Sequence, residues 1–163
     1  MDACWIQSRD SRMKRLLIIG YGNSLRGDDG IGPAVVDELQ RSPIAARAEL
    51  LQRHQLGPEL AEQVAAADAV IFVDASAVGT PGQVRTRKLQ APEVATGDLT
   101  HHVSPELLLA TARGLYGRAP NAVLVTICGE SFEMGAQMSD IARTAVRESV
   151  PILDSLATDL SRR

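Results

Sequence analysis

Two adjacent carboxylates, Asp28 and Asp29, follow an apolar run and a glycine-rich turn, at the point where a helix should begin. A dinucleotide-binding loop would place a third glycine at position 25, because its helix packs close to the strand and its amides meet a pyrophosphate. This chain has Leu25 there, and the acidic pair would repel phosphate. Carboxylates that face a cleft suit a cation instead. The turn therefore predicts metal recognition, and a nucleotide-binding α/β module remains an alternative that rests on the glycines alone.

Further potential ligands follow other predicted strands. Asp74 comes directly after the apolar run at 69–73, Glu130 follows the last apolar strand, and His101 and His102 precede a predicted helix. In an open parallel sheet the strand carboxyl ends and the helix N-termini share one edge. Two carboxylates and an imidazole can therefore converge there, and such a mixed oxygen and nitrogen set suits a borderline metal such as nickel or zinc.

Each of these residues also has a purely structural interpretation. Asp28 or Asp29 could cap the following helix and contribute about 1 kcal/mol. An aspartate that ends a predicted strand, as Asp74 does, is often a turn or cap residue. Histidines in a polar loop are commonly surface residues. His54 has no acidic or glycine-rich context and is assigned no role, and Cys128 is interpreted as a small apolar core residue. Only the joint occurrence of the acidic and histidine motifs favours a functional site.

The elements that must position these residues alternate along the chain. Apolar runs and helical spacing predict strands at 15–19, 49–53, 69–73 and 122–127 and helices at 29–41, 58–67, 105–116 and 139–160. Residues 83–89 follow a turn with polar alternation, which predicts an antiparallel edge strand blunted by charge. Pro151 should interrupt or kink the last helix. The pattern predicts an α/β protein, a three-layer α/β/α sandwich with a mostly parallel twisted sheet.

Composition limits the possible function classes. The 163 residues fit one domain, and 45% are hydrophobic but only 3% aromatic, so Val, Ile, Leu and Ala must build the core. A net charge of -3 gives no reason to expect nucleic acid or an anionic membrane as partner. Two cysteines far apart favour a reduced, cytoplasmic setting. We expect residues 1–12 to be a disordered extension, with Met13 a possible natural start, and 13–163 to form the single domain.

Taken in order, these motifs resemble those of the hydrogenase maturation proteases, the endopeptidases that trim the large subunit of nickel–iron hydrogenases. The similarity covers about residues 14–150. The matching segments are residues 20–32, Val73-Asp74-Ala75, Pro81-Gly82, residues 101–105 and Gly129-Glu130-Ser131.

The resemblance implies which residues form the site. In that family an acidic residue after the first strand, an aspartate after the third and a histidine in the later loop contact the metal. Carried across by position, these are Asp29, Asp74 and His101, with His102 as the alternative to His101. Asp29 and Asp74 are also the candidate catalytic residues. The residues expected to bind substrate are Gly22, Asn23, Asp28 and Glu130.

The resemblance also implies an activity. The chain would be an aspartyl or metal-dependent endopeptidase that removes the C-terminal extension of a hydrogenase large-subunit precursor. Nickel already present in the precursor would serve as the recognition element, without a nucleotide cofactor. The sequence contains no His-Glu-x-x-His helix, Gly-x-Ser-x-Gly elbow or catalytic-cysteine signature. A non-catalytic assembly factor that binds the metallated precursor without cutting it is the other alternative.

Overall fold

The computed structural model describes residues 15–93 and 103–162, which form one five-stranded sheet and four α-helices. The sheet order is β2-β1-β3-β5-β4, and every neighbouring pair is parallel except β4 with β5. The predicted α/β fold with an antiparallel edge strand is therefore confirmed. The elements are β1 (Leu16–Tyr21), α1 (Ile31–Gln40), β2 (Ala48–Arg53), α2 (Ala61–Ala66), β3 (Ala69–Ser76), β4 (Val84–Leu89), α3 (Pro105–Tyr116), β5 (Asn121–Cys128) and α4 (Asp140–Arg162).

The helices cover both faces of the sheet, which gives the predicted three layers. One core cluster joins α1 and α4 to one face, and a second joins α2 and α3 to the other. Residues 16–19 and 69–73 are buried without a break, because the central strands β1 and β3 are covered on both sides. The two clusters consist mainly of aliphatic side chains, and Phe72 is their one phenylalanine.

Strand register brings three strand ends to one edge of the sheet. Gly20 pairs with Val73 across β1 and β3, and Tyr21 pairs with Arg53 across β1 and β2. Tyr21 and Asp74 are the next residue in each strand, and they therefore lie side by side in β1 and β3. The segments after β1, β2 and β3 start from this common edge, which is where the sequence predicted the site.

Helix α1 lies directly against this edge because it carries a glycine at its closest approach. A Cβ atom on Gly32 would come within 2.3 Å of the Tyr21 carbonyl oxygen and 2.7 Å of the Val73 carbonyl oxygen. Any side chain at this position would push the helix off the strands. The short 3-10 helix Gly27–Gly30, which carries both acidic residues into α1, is thereby held next to the strand ends.

Helix α4 corrects the expectation that Pro151 interrupts it, since the helix runs continuously from Asp140 to Arg162. The alternative, a kink at Pro151, stays a prediction. Proline removes one backbone hydrogen bond from a helix. Buried residues on both sides of the proline, among them Val146 and Leu153, pack into the same core cluster. Packing of both halves therefore outweighs the lost bond.

Some predictions fall on residues outside the described ranges. These are the N-terminal extension 1–12, the proposed ligand His101 and its alternative His102. Among the helices of residues 15–93 and 103–162, none is long and apolar enough to cross a membrane.

Candidate active site

A pocket of about 380 Å³ opens at the carboxyl edge of the sheet, where β1, β2 and β3 end. Both predicted catalytic carboxylates, Asp29 and Asp74, border it. The structure thus brings together two acids that are 45 residues apart in the sequence. The other lining residues are Tyr21, Gly22, His54, Gln55, Leu56, Ala75, Val103, Ser104 and Pro105.

Asp29 is held in place by Gly22 and Asn23, the two residues that begin the loop after β1. The Asn23 backbone N–H donates a hydrogen bond to Oδ2 of Asp29 at 2.9 Å. Gly22 has φ +146, and a Cβ atom there would lie 1.9 Å from the Asp29 carbonyl oxygen. Only glycine allows the chain to pass so close. Gly22 and Asn23 therefore orient the carboxylate, and their predicted contact with substrate remains a prediction.

Asp74 has a partner that the sequence did not suggest. The side chains of Tyr21 and Asp74 form a hydrogen bond, and both lie on the sheet face that α2 and α3 cover. Burial raises the pKa of Tyr21 far above its usual value, and the negative charge of Asp74 and the hydrogen bond to it raise the pKa further. The phenol therefore stays protonated and donates to the carboxylate, which fixes the direction of Asp74.

One wall of the pocket is the N-terminus of α3. Ser104 caps this helix, since its hydroxyl accepts a hydrogen bond from the Leu107 N–H at 3.2 Å. Glu106 in the first turn forms a 2.7 Å ion pair with Arg87 of β4. Burial raises the pKa of Glu106, but the bonds from Arg87 and its neighbours outweigh burial, so the net pKa is lowered. These contacts fix the wall formed by residues 103–105 against the sheet.

Asp28, which we expected to bind substrate, is a buried structural residue. Its side chain is 0% exposed, and the loop before α4 closes over it. Burial alone would raise its pKa, but the hydrogen bonds outweigh this and the pKa lies below its ordinary value of 3.8. The carboxylate accepts four hydrogen bonds, from the N–H groups of Glu130 at 2.7 Å, Ser131 at 3.2 Å and Ser139 at 2.7 Å and from the Ser139 hydroxyl at 2.8 Å.

The burial of Asp28 argues against its predicted contact with substrate, because its carboxylate accepts four hydrogen bonds from the chain itself. Asp28 instead joins the loop that carries Asp29 to the loop that leads into α4. Glu130 contributes its backbone N–H to this junction, whereas its side chain is exposed and lies outside the set of pocket-lining residues. A substrate contact for the Glu130 side chain stays a prediction.

Solved structures with the same architecture show what the chain is similar to. The hydrogenase 2 maturation peptidase from Thaumarchaeota archaeon SCGC_AB-539-E09 is 27% identical, with a TM-score of 0.66 over 88% of this chain and 98% of that one. An endopeptidase from Escherichia coli is 26% identical, with a TM-score of 0.67 over 89% and 93%. The chain resembles the hydrogenase maturation proteases in its fold and in the order of its motifs.

A third structure agrees with this resemblance at the level of the fold. The hydrogenase maturating endopeptidase HybD from E. coli has a TM-score of 0.70 and 23% identity, over 89% of this chain and 93% of that one. No protein-family model and no curated protein sequence matches the chain. The resemblance to these proteases therefore rests on the shared three-dimensional structure.

The described residues include part of the predicted metal-ligand set. Among residues 15–93 and 103–162, no three His, Cys, Asp or Glu side chains cluster closely enough to hold a metal ion. Asp29 and Asp74 lie at one pocket, and the third predicted ligand, His101, falls outside the described residues. Two carboxylates in a cleft can bind a cation that arrives with a ligand, or accept a proton from a water molecule.

The structure also adds two pocket residues that sequence reasoning missed. Tyr21 sits inside the first motif, but its partner Asp74 is known only once β1 and β3 are paired. His54 received no role, yet it borders the pocket from the turn after β2. A usable signal existed for His54, because it directly follows a predicted strand, as Asp74 does.

Proposed function

We propose that this protein is a hydrogenase maturation protease, an endopeptidase that removes the C-terminal extension of a hydrogenase large-subunit precursor in the cytoplasm. Nickel already present in the precursor is the recognition element and belongs to the substrate. The observation that carries the proposal is the meeting of Asp29 and Asp74 at one pocket, in a chain with this family's fold. Asp29 follows β1 and Asp74 lies in β3, so the sheet must form before the pair exists.

The metal-recognition part of the proposal assigns Asp29, Asp74 and His101 to the substrate's nickel. Carboxylate and imidazole groups suit a divalent metal of this type. Two of the three residues border the pocket, and Val103, two residues after His101 in the sequence, lines it too. The pocket is also open to solvent on the side of the exposed His54, so a segment of another protein can enter.

The chemical part of the proposal uses the same carboxylates. Hydrolysis of a peptide bond requires one group to accept a proton from the attacking water and one to return a proton to the leaving amine. A positioned carboxylate can do both in succession. The Asn23 N–H orients Asp29, and the Tyr21 hydroxyl orients Asp74. Both carboxylates are therefore oriented before substrate binds.

A cleavage assay tests the activity. The protein is incubated with nickel-loaded precursor, and the precursor is weighed by mass spectrometry before and after. Loss of the mass of the C-terminal extension is the expected result. An unchanged mass in a stable complex would instead identify an assembly factor that does not cut. Titration with NAD and ATP addresses the nucleotide-binding alternative, and we expect no binding because the loop lacks the third glycine.

Tyr21→Phe should lower the rate of processing about tenfold, because it removes the hydrogen bond that orients Asp74 but keeps the aromatic ring in the core. The measurement is the processing rate together with the melting temperature, which should change little. Tyr116→Phe is the matched control, since Tyr116 is 49% exposed at the end of α3 and does not line the pocket. Equal rates for the two variants would remove Tyr21 from the mechanism.

A further inference from the structure

His54 lines the pocket that residues 103–105, at the N-terminus of α3, also line. It is the first residue after β2, the edge strand beside β1, and its side chain is exposed. The pocket extends from this residue across the end of β1 to Asp74, two residues before the end of β3. A polypeptide that reaches the two carboxylates from the β2 side of the sheet meets His54 first.

The turn that carries His54 is fixed on both sides. Just before it, the carbonyl oxygen of Arg53 accepts a hydrogen bond from the Gly22 N–H at 3.1 Å. Just after it, Leu56 is only 4% exposed and packs into the core cluster between the sheet and α2 and α3. A histidine on a free surface loop has no such anchors. Here the backbone of the turn is held, so the position of the imidazole relative to the carboxylates is set by the fold.

We propose that His54 is a substrate-contacting residue, whose imidazole hydrogen-bonds the polypeptide segment of the precursor that occupies the pocket. This inference rests on the proposed function. A neutral imidazole carries one N–H donor and one nitrogen acceptor, which matches the alternating C=O and N–H groups of an extended peptide backbone. Asp29 and Asp74 offer only acceptors when ionised. His54 therefore supplies the donor that these two carboxylates lack.

The test compares His54→Ala, His54→Gln and Glu59→Ala in processing of nickel-loaded precursor over a range of precursor concentrations. His54→Ala should lower kcat/KM about tenfold, mainly through KM, because one hydrogen bond to bound substrate is lost. His54→Gln keeps a donor and an acceptor and should recover part of the loss. Glu59→Ala is the control, since Glu59 is exposed nearby in the same segment but does not line the pocket. Melting temperatures should match the wild type in all three.

A second readout separates failure of this inference from failure of the proposed function. In protein labelled at histidine, the NMR signal of His54, assigned by its loss in His54→Gln, should shift when nickel-loaded precursor is added. Normal kcat/KM for His54→Ala would overturn the inference and leave the proposed function intact. An inactive wild type would overturn the proposed function, and an unmoved His54 signal in that case would overturn the inference as well.

Discussion

Asp29→Asn and Asp74→Asn should each fold normally and lose at least about a hundredfold of precursor processing. Each change keeps the size of the side chain and one oxygen that can accept a hydrogen bond. The amide is neutral, so it is a weaker donor to a divalent cation and cannot take a proton from water. The measurement pairs the melting temperature of each variant with its rate of processing of nickel-loaded precursor.

Controls distinguish this loss from a general effect of removing negative charge. Asp159→Asn changes an exposed aspartate in α4 and should process at the wild-type rate. His101→Ala should behave like the two carboxylate variants, because the resemblance assigns it to the same metal. Full processing by both Asp29→Asn and Asp74→Asn would reduce these residues to structural caps and would contradict the proposed mechanism.

Asp28→Asn should lower the free energy of unfolding by about 3 kcal/mol, because it leaves buried donors without an acceptor. Three donors converge on Oδ2 of Asp28 and one on Oδ1, so an amide NH₂ group in either orientation faces at least one N–H. The variant is otherwise isosteric. Chemical denaturation of the two proteins measures the difference directly. Asp140→Asn, at a side chain that is 95% exposed, should leave stability unchanged.

The same pair of proteins has a characteristic pH dependence. The pKa of Asp28 in the folded protein lies below its ordinary value of 3.8, so the ionised form stabilises the fold. The advantage of the wild type over Asp28→Asn should therefore be complete above that ordinary value. It should shrink as the pH falls through the lower, folded pKa. A stability difference that stays constant down to strongly acidic pH would show that the charge of Asp28 does not contribute.

The sequence was sufficient for the architecture because the signals are local. Apolar strands, the turn before Asp29 and the polar alternation at 83–89 each lie within a few residues, and the alternation of strand and helix limits the topology. The approximate location of Asp29 and Asp74 followed from one rule, that functional residues gather at the carboxyl ends of parallel strands.

What the sequence did not reveal depends on contacts between distant segments. In the sequence, nothing separates Asp28 from Asp29 as a candidate for binding substrate. The loop that buries Asp28 begins about a hundred residues later in the chain. Tyr21 contacts Asp74 only because β1 pairs with β3. His54 borders the pocket because β2 lies beside β1, and no local motif around it indicates that neighbour.

The central claim is that the two carboxylates at the pocket serve in cleavage of a precursor that is recognised by its nickel. The most direct measurement incubates the wild-type protein with the same precursor in nickel-loaded and nickel-free form and weighs both products by mass spectrometry. We predict that only the nickel-loaded precursor loses its C-terminal extension. Equal cleavage of the nickel-free precursor, or an unchanged mass for the nickel-loaded one, would contradict the claim.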